Sequence, residues 1–124
     1  MCMGKRSILL VDDDADIQFH YQNILKDKNF NVECVSYGEQ AITKVKGEKY
    51  DLVILDIMLP DMRGDTLALK LKALDPNITI IFITGFSYMD YCIKALDIGI
   101  GEILIKPITS NELVDSITRN LHES

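Results

Sequence analysis

Three consecutive carboxylates, Asp12, Asp13 and Asp14, follow the apolar run 8–11, and a further one, Asp56, follows the apolar run 52–55. Neighbouring like charges repel, so such a triplet is stable where some members are solvated or bind a cation. Asp14 suits the start of a helix as a capping acid, which leaves Asp12, still on the strand side of the turn, for chemistry. Thr84 closes the run 78–83, and Lys106 closes 103–105 immediately ahead of Pro107, whose ring restricts the residue before it. Taken singly, these are ordinary turn formers, caps and surface charges. Taken together, they are carboxylates from two strand ends, a hydroxyl from a third and an ammonium from a fourth. Clustered aspartate oxygens suit a hard cation, Mg2+ or in its place Mn2+, that leaves a position open for a phosphoryl oxygen. Lys106 would neutralise an incoming phosphoryl group and Thr84 would donate a hydrogen bond to it. Asp56 would be the nucleophile that forms an acyl phosphate beside a metal held by Asp12 and Asp13. His20 and His122 read as surface residues, and no Cys or His pair offers zinc-ligand spacing.

The elements that position these groups follow from the pattern of apolar residues. Strands are expected over about 7–12, 51–56, 78–84 and 102–106, because their apolar runs are continuous, rich in β-branched residues and too short for helices. A weaker, half-exposed edge strand is expected over 31–35. Helical spacing links them: a first helix carrying Ile17, Tyr21, Ile24 and Leu25 and ended by Asn29, then helices over 38–48, 64–74 and 87–98. Pro76 stops the third, Gly99 closes the fourth, and Thr109 with Glu112 marks a capping box at the start of a fifth. Strict alternation of strand and helix predicts an α/β fold, a doubly wound five-stranded parallel sheet with five helices. Such sheets carry their chemistry outside the carboxyl ends of the strands.

The length of 124 residues, 48% hydrophobic and 26% charged, suits one domain over 1–124. A formal charge of −6 argues against direct nucleic-acid binding. No run reaches the roughly 18 apolar residues of a membrane span, and no signal peptide is evident, so a cytoplasmic protein without membrane contact is expected. Cys2, Cys34 and Cys92 are odd in number and widely spaced, which fits a reducing compartment. The Asp75-Pro76-Asn77 turn and residues 61–63 read as solvated loops without a separate role. Tyr88, Tyr91 and Ile103 are candidates for a partly exposed patch.

The segments Val11-Asp12-Asp13-Asp14, Leu55-Asp56-Ile57-Met58-Leu59-Pro60-Asp61-Met62-Arg63-Gly64, Ile83-Thr84-Gly85 and Lys106-Pro107 resemble the motifs of response-regulator receiver domains (CheY-like) of two-component signalling. The resemblance covers essentially the whole chain. It implies a flavodoxin-like strand order of 2-1-3-4-5. It further implies that Asp56 is the phosphoacceptor, charged by a histidine kinase or histidine phosphotransfer protein. The Mg2+ would be held by Asp12, Asp13, Asp56 and the backbone carbonyl of Met58, with Thr84 and Lys106 contacting the phosphoryl group. A cis peptide between Lys106 and Pro107 and a turn at Gly64 are implied as well. Met58 and Phe86 would shield the acyl phosphate, so self-dephosphorylation should be slow. The domain would act as a switch rather than an enzyme, and a homodimer through the fourth helix, fifth strand and fifth helix would suit it. The sequence departs from the family at Ile103, where receivers commonly carry Tyr or Phe. A β-branched aliphatic cannot make the same ring movement, so coupling is expected through the loop after Thr84 and repacking of the fourth helix. The alternatives are a haloacid-dehalogenase-type phosphohydrolase with Asp12 as nucleophile, a flavodoxin-like binding module, and a receiver-like docking module that is never phosphorylated. The sequence ends shortly after the fifth helix, compatible with a stand-alone regulator or with a receiver cut from a longer one.

Overall fold

The apolar runs become five strands: β1 (Ser7–Val11), β2 (Asn31–Val35), β3 (Leu52–Leu55), β4 (Thr79–Thr84) and β5 (Glu102–Ile105). In the computed structural model, which describes residues 5–88, 90, 97 and 99–121, they form one sheet in the order β2-β1-β3-β4-β5. Every neighbouring pair is parallel. The doubly wound order expected from the sequence is the one observed. Asp12, Asp56 and Lys106 fall just beyond their strands rather than inside them, because the ladder stops where the chain turns towards the next helix. Asp51 and Ile78 likewise precede β3 and β4.

The helices are α1 (Ala15–Asp27), α2 (Gly38–Gly47), α3 (Gly64–Leu74) and α4 (Ser110–Leu121). The helix expected over 87–98, with Tyr91 and Cys92, lies almost wholly outside the described residues. Its described beginning, Phe86–Tyr88, is a single 3-10 turn. Local chemistry explains where the helices start and stop. Asp14 Oδ1 accepts from the N–H groups of Asp16 (2.9 Å) and Ile17 (3.2 Å), so α1 has its capping acid. Asn29 leaves it with φ of 71°, a conformation asparagine tolerates better than most residues. Thr109 and Glu112 form the reciprocal capping box, with N–H to side-chain distances of 2.7 and 3.1 Å.

Alternation along the strands divides the core into two layers. Leu9, Val11, Val53, Leu55, Ile80 and Phe82 pack on one face with Ala41 of α2 and Leu67 and Leu71 of α3. Ile8, Leu10, Leu52, Ile54, Ile81 and Ile83 pack on the other with Tyr21 and Leu25 of α1 and Leu113 and Ile117 of α4. Each of the Val, Leu, Ile and Phe side chains among them contributes about 1.5–3 kcal/mol on full burial. Because β1 and β3 are covered on both faces, their carboxyl ends are fixed points from which Asp12 and Asp56 project.

Gly64 is needed for a reason other than the turn expected from the sequence. A Cβ there would sit 2.3 Å from the Asp56 carbonyl oxygen and 2.8 Å from the Ile57 Cα. The start of α3 is thus pressed against the backbone of the Asp56 loop, and only a residue without a side chain permits that approach.

Candidate functional site

Four of the residues singled out by the sequence meet at the carboxyl ends of four strands. Lys106 Nζ, from the end of β5, lies 3.0 Å from Asp56 Oδ2 and 3.4 Å from Asp12 Oδ2. Thr84, fully buried at the end of β4, donates its hydroxyl to Asp56 Oδ1 at 3.1 Å. The Met58 N–H donates to the same oxygen at 3.3 Å, and the Asp14 N–H donates to Asp12 Oδ1 at 2.9 Å. The peptide between Lys106 and Pro107 is cis, as implied by the resemblance.

The electrostatics of this cluster are unbalanced. Asp12 is only 4% exposed, and burial pushes its carboxyl above the ordinary value. The Asp14 N–H and the Lys106 charge oppose that rise, and the charge of Asp56 adds to it. Burial alone would lower Lys106, but its hydrogen bond to Asp56 and the charges of Asp12 and Asp56 hold it above the usual lysine value. One ammonium thus serves two carboxylates, and the surplus is negative.

Asp13 directly follows Asp12 in the chain. It is exposed, where water screens a third like charge. Among the described residues, no three Asp, Glu, His or Cys side chains are gathered in a ready cation cage. The donor set is nonetheless all oxygen, as hard divalent cations require, and its negative surplus has the sign a cation would relieve.

Two of three further residues singled out by the sequence can be placed. Ile103 is half-buried and packs against the core layer of α2 and α3. Met58 is 41% exposed, so its side chain is open to solvent at the site's rim. The Phe86 side chain lies outside the described residues.

Two residues at this end of the molecule were missed by the sequence reading. Gln18 of α1 donates through Nε2 to the Asp12 carbonyl, to the Val35 carbonyl (3.2 Å) and to the Ser36 hydroxyl (3.2 Å). Asp61 is exposed on its loop, as expected, but it has a role of its own: it accepts from the N–H groups of Gly38 and Glu39 at the start of α2. A signal for Asp61 did exist. The residue before Gly38 is Tyr37, outside the Ser, Thr, Asp and Asn set that caps helices, so the first amides of α2 were open to an acceptor from another element or from water.

Residues 8–118 match the family described as the response regulator receiver domain. The chain belongs to that family. The receiver is 33% identical over 121 residues to the transcriptional regulatory protein ZraR of Salmonella typhimurium, a match covering 98% of this chain and 27% of ZraR. It is 31% identical to the DNA-binding response regulator MtrA of Mycolicibacterium paratuberculosis, covering 97% of this chain and 53% of MtrA. The receiver therefore spans between about a quarter and a half of the length of these relatives. Among solved structures it superimposes with a TM-score of 0.91 and 30% identity on a CheY-like response regulator receiver domain protein from Methanospirillum hungatei, over 95% of this chain and 94% of that one. It also resembles the BeF3-activated DrrB receiver domain, with a TM-score of 0.86 and 26% identity, over 96% of this chain and 99% of that one. Family membership argues against the phosphohydrolase and flavodoxin-like binding alternatives. Among the described residues, no helix of this receiver is long and apolar enough to cross a membrane.

Proposed function

We propose that the domain is a phosphorylation-driven switch in which Asp56 receives a phosphoryl group from a histidine kinase or histidine phosphotransfer protein. The observation that carries this reading is the grip on Asp56, with Thr84 and the Met58 N–H on one oxygen and Lys106 on the other. An Asp56 oxygen attacks phosphorus, the P–N bond of the donor phosphohistidine breaks, and the released imidazole nitrogen takes a proton from solvent. Lys106 follows the developing charge, and the Thr84 hydroxyl transfers its hydrogen bond from the carboxylate to a phosphoryl oxygen. Asp12, Asp13, Asp56 and the Met58 carbonyl would hold Mg2+ or Mn2+, which supplies charge neutralisation for the transferring group. The groove of about 340 Å³ lined by His20, Tyr21, Lys106 and Pro107, with exposed Phe19 on the same helix, offers the donor protein an approach to Lys106.

The transfer of Thr84 and Lys106 to the phosphoryl group displaces the segments that follow β4 and β5, and these carry the signal to a partner or an attached output. With Ile103 packed as an aliphatic, the β4 loop rather than a swinging ring is the moving part. A cytoplasmic location follows from donors of this class. A homodimer through the face of β5 and α4 is a further outcome of the switch. Slow loss of the phosphoryl group is expected from the apolar pair Met58 and Phe86.

The test is intact mass after exposure to acetyl phosphate and Mg2+. Wild type should gain one phosphoryl group, and Asp56→Asn should gain none. Covalent phosphate that persists in Asp56→Asn but disappears in Asp12→Asn would support the phosphohydrolase instead. A wild type that is never modified would support the docking module.

A further inference from the structure

Asp61 sits on the same loop as Asp56 and spends both carboxylate oxygens on a different element. Oδ1 accepts from the Gly38 N–H at 2.8 Å and Oδ2 from the Glu39 N–H at 3.0 Å. These are the first amides of α2, which have no partner within the helix, and a negative group there is also favoured by the helix dipole. The cap thus comes from 23 residues further along the chain. A second contact reinforces it: Met62 Cγ and Sδ lie 2.7 Å from the point a Gly38 Cβ would occupy, so glycine at this position lets the loop sit on the helix start.

The loop has internal connections that tie this anchor to Asp56. The Met58 N–H is bonded to Asp56 Oδ1, Met58 and Arg63 pair as an antiparallel bridge, and the Leu59 N–H donates to the Met62 carbonyl at 3.2 Å. Gly64 closes the loop against the Asp56 carbonyl. From the other flank, Gln18 ties the Asp12 carbonyl to Val35 and Ser36, just ahead of α2. The first turn of α2 is therefore bonded to one carboxylate-bearing loop and adjoins the other through Gln18.

Resting on the reading of Asp56 as acceptor, we infer that Asp61 is a positioning residue: it anchors the acceptor loop on the start of α2 and couples occupancy of Asp56 to the order of that first turn. Coupling of this kind is reciprocal. A group bound at Asp56 that shifts the loop alters the Asp61 bonds, and removing those bonds alters affinity at Asp56 by the same factor.

The experiment uses the 124-residue chain with beryllofluoride and Mg2+ as probe, reading binding affinity and site-resolved amide hydrogen exchange. In wild type, the probe should change exchange at Gly38 and Glu39. Asp61→Ala should abolish that response and weaken beryllofluoride binding by about 5-fold, the lower end of measured couplings. Asp61→Asn keeps one acceptor oxygen and should fall between the two, and unchanged amide protection across the sheet in the same exchange data separates this effect from a general loss of stability. Wild-type affinity in Asp61→Ala, or an undiminished response at Gly38 and Glu39 in that variant, would overturn the inference. If Asp61→Ala loses protection throughout the sheet, Asp61→Asn decides: affinity and amide response both equal to wild type would overturn it. Failure of wild type itself to bind the probe would instead strike the acceptor reading of Asp56.

Discussion

Two carboxylate clusters in this molecule use similar parts and arrive at opposite electrostatic states. Glu102, at the start of edge strand β5, accepts at Oε1 from Ser116 Oγ (2.8 Å) and Asn120 Nδ2 (2.9 Å), and Oε2 pairs with Arg119 at 2.6 Å. Burial pushes its carboxyl up, but the bonds from Ser116, Arg119 and Asn120 outweigh that effect and hold it below the usual glutamate value. At the other end of the sheet, burial of Asp12 outweighs its bonds, and its carboxyl is raised. One cluster is a satisfied latch between β5 and α4, while the other holds two carboxylates on one ammonium. A satisfied cluster stabilises the fold; an unbalanced one leaves free energy for a ligand to release.

The largest effect separating the two should be kinetic. Lys106→Met is expected to slow modification of Asp56 by acetyl phosphate by about 100-fold or more, as for loss of a donor that stabilises developing charge. Arg119→Met should leave that rate unchanged. Time-resolved intact mass measures both, and equal rates for the two variants would erase the distinction.

Stability should show the contrast with opposite signs. Glu102→Ala leaves the buried Ser116 hydroxyl without its acceptor, while the Asn120 amide keeps the Ser116 carbonyl, and should cost about 1–3 kcal/mol in urea unfolding. Asp12→Asn removes one of two like charges and, with divalent cations chelated, should raise stability by about 1 kcal/mol. Destabilisation by both would mean that Asp12 is as well satisfied as Glu102.

A smaller signature lies in pH. Glu102 has a folded-state value below its reference of 4.5, so its contribution is fully present above that pH and is lost as pH falls through the folded value. Glu102→Gln should flatten the stability profile of wild type below about pH 4.5, and an unchanged slope would count against the latch. The smallest effect is expected for Lys44→Ala. Lys44 and Glu33 are 3.4 Å apart with side chains 37% and 45% exposed, so the loss should stay under about 0.5 kcal/mol. A larger loss there would show that exposed pairs carry more weight in this fold than the comparison assumes.

The parts legible in the sequence were those written in local pattern. Continuous β-branched runs gave the strands, alternation with helical periodicity gave the doubly wound sheet, and Thr109 with Glu112 gave the start of the last helix. The convergence of Asp12, Asp56, Thr84 and Lys106 followed, because strand ends in such a sheet share one edge. The contacts of Asp61 and Gln18 had no local signature, since each joins elements distant in sequence and depends on where the helices settle. Gly64 was noticed, but its reason, a close approach to the Asp56 backbone, is a property of packing.

The placement of the acceptor candidate also has a mechanical consequence. Asp56 follows β3, which is flanked by a strand on both sides and whose four residues are at most 1% exposed. Lys106 follows β5, an edge strand whose four residues are all half-buried. Close-packed interior yields little to force, so a load applied between these two groups meets a stiff support on one side and a compliant one on the other. Displacement should collect at the rim of the molecule while the centre keeps its shape, which would let the proposed switch operate repeatedly without loosening its own foundation.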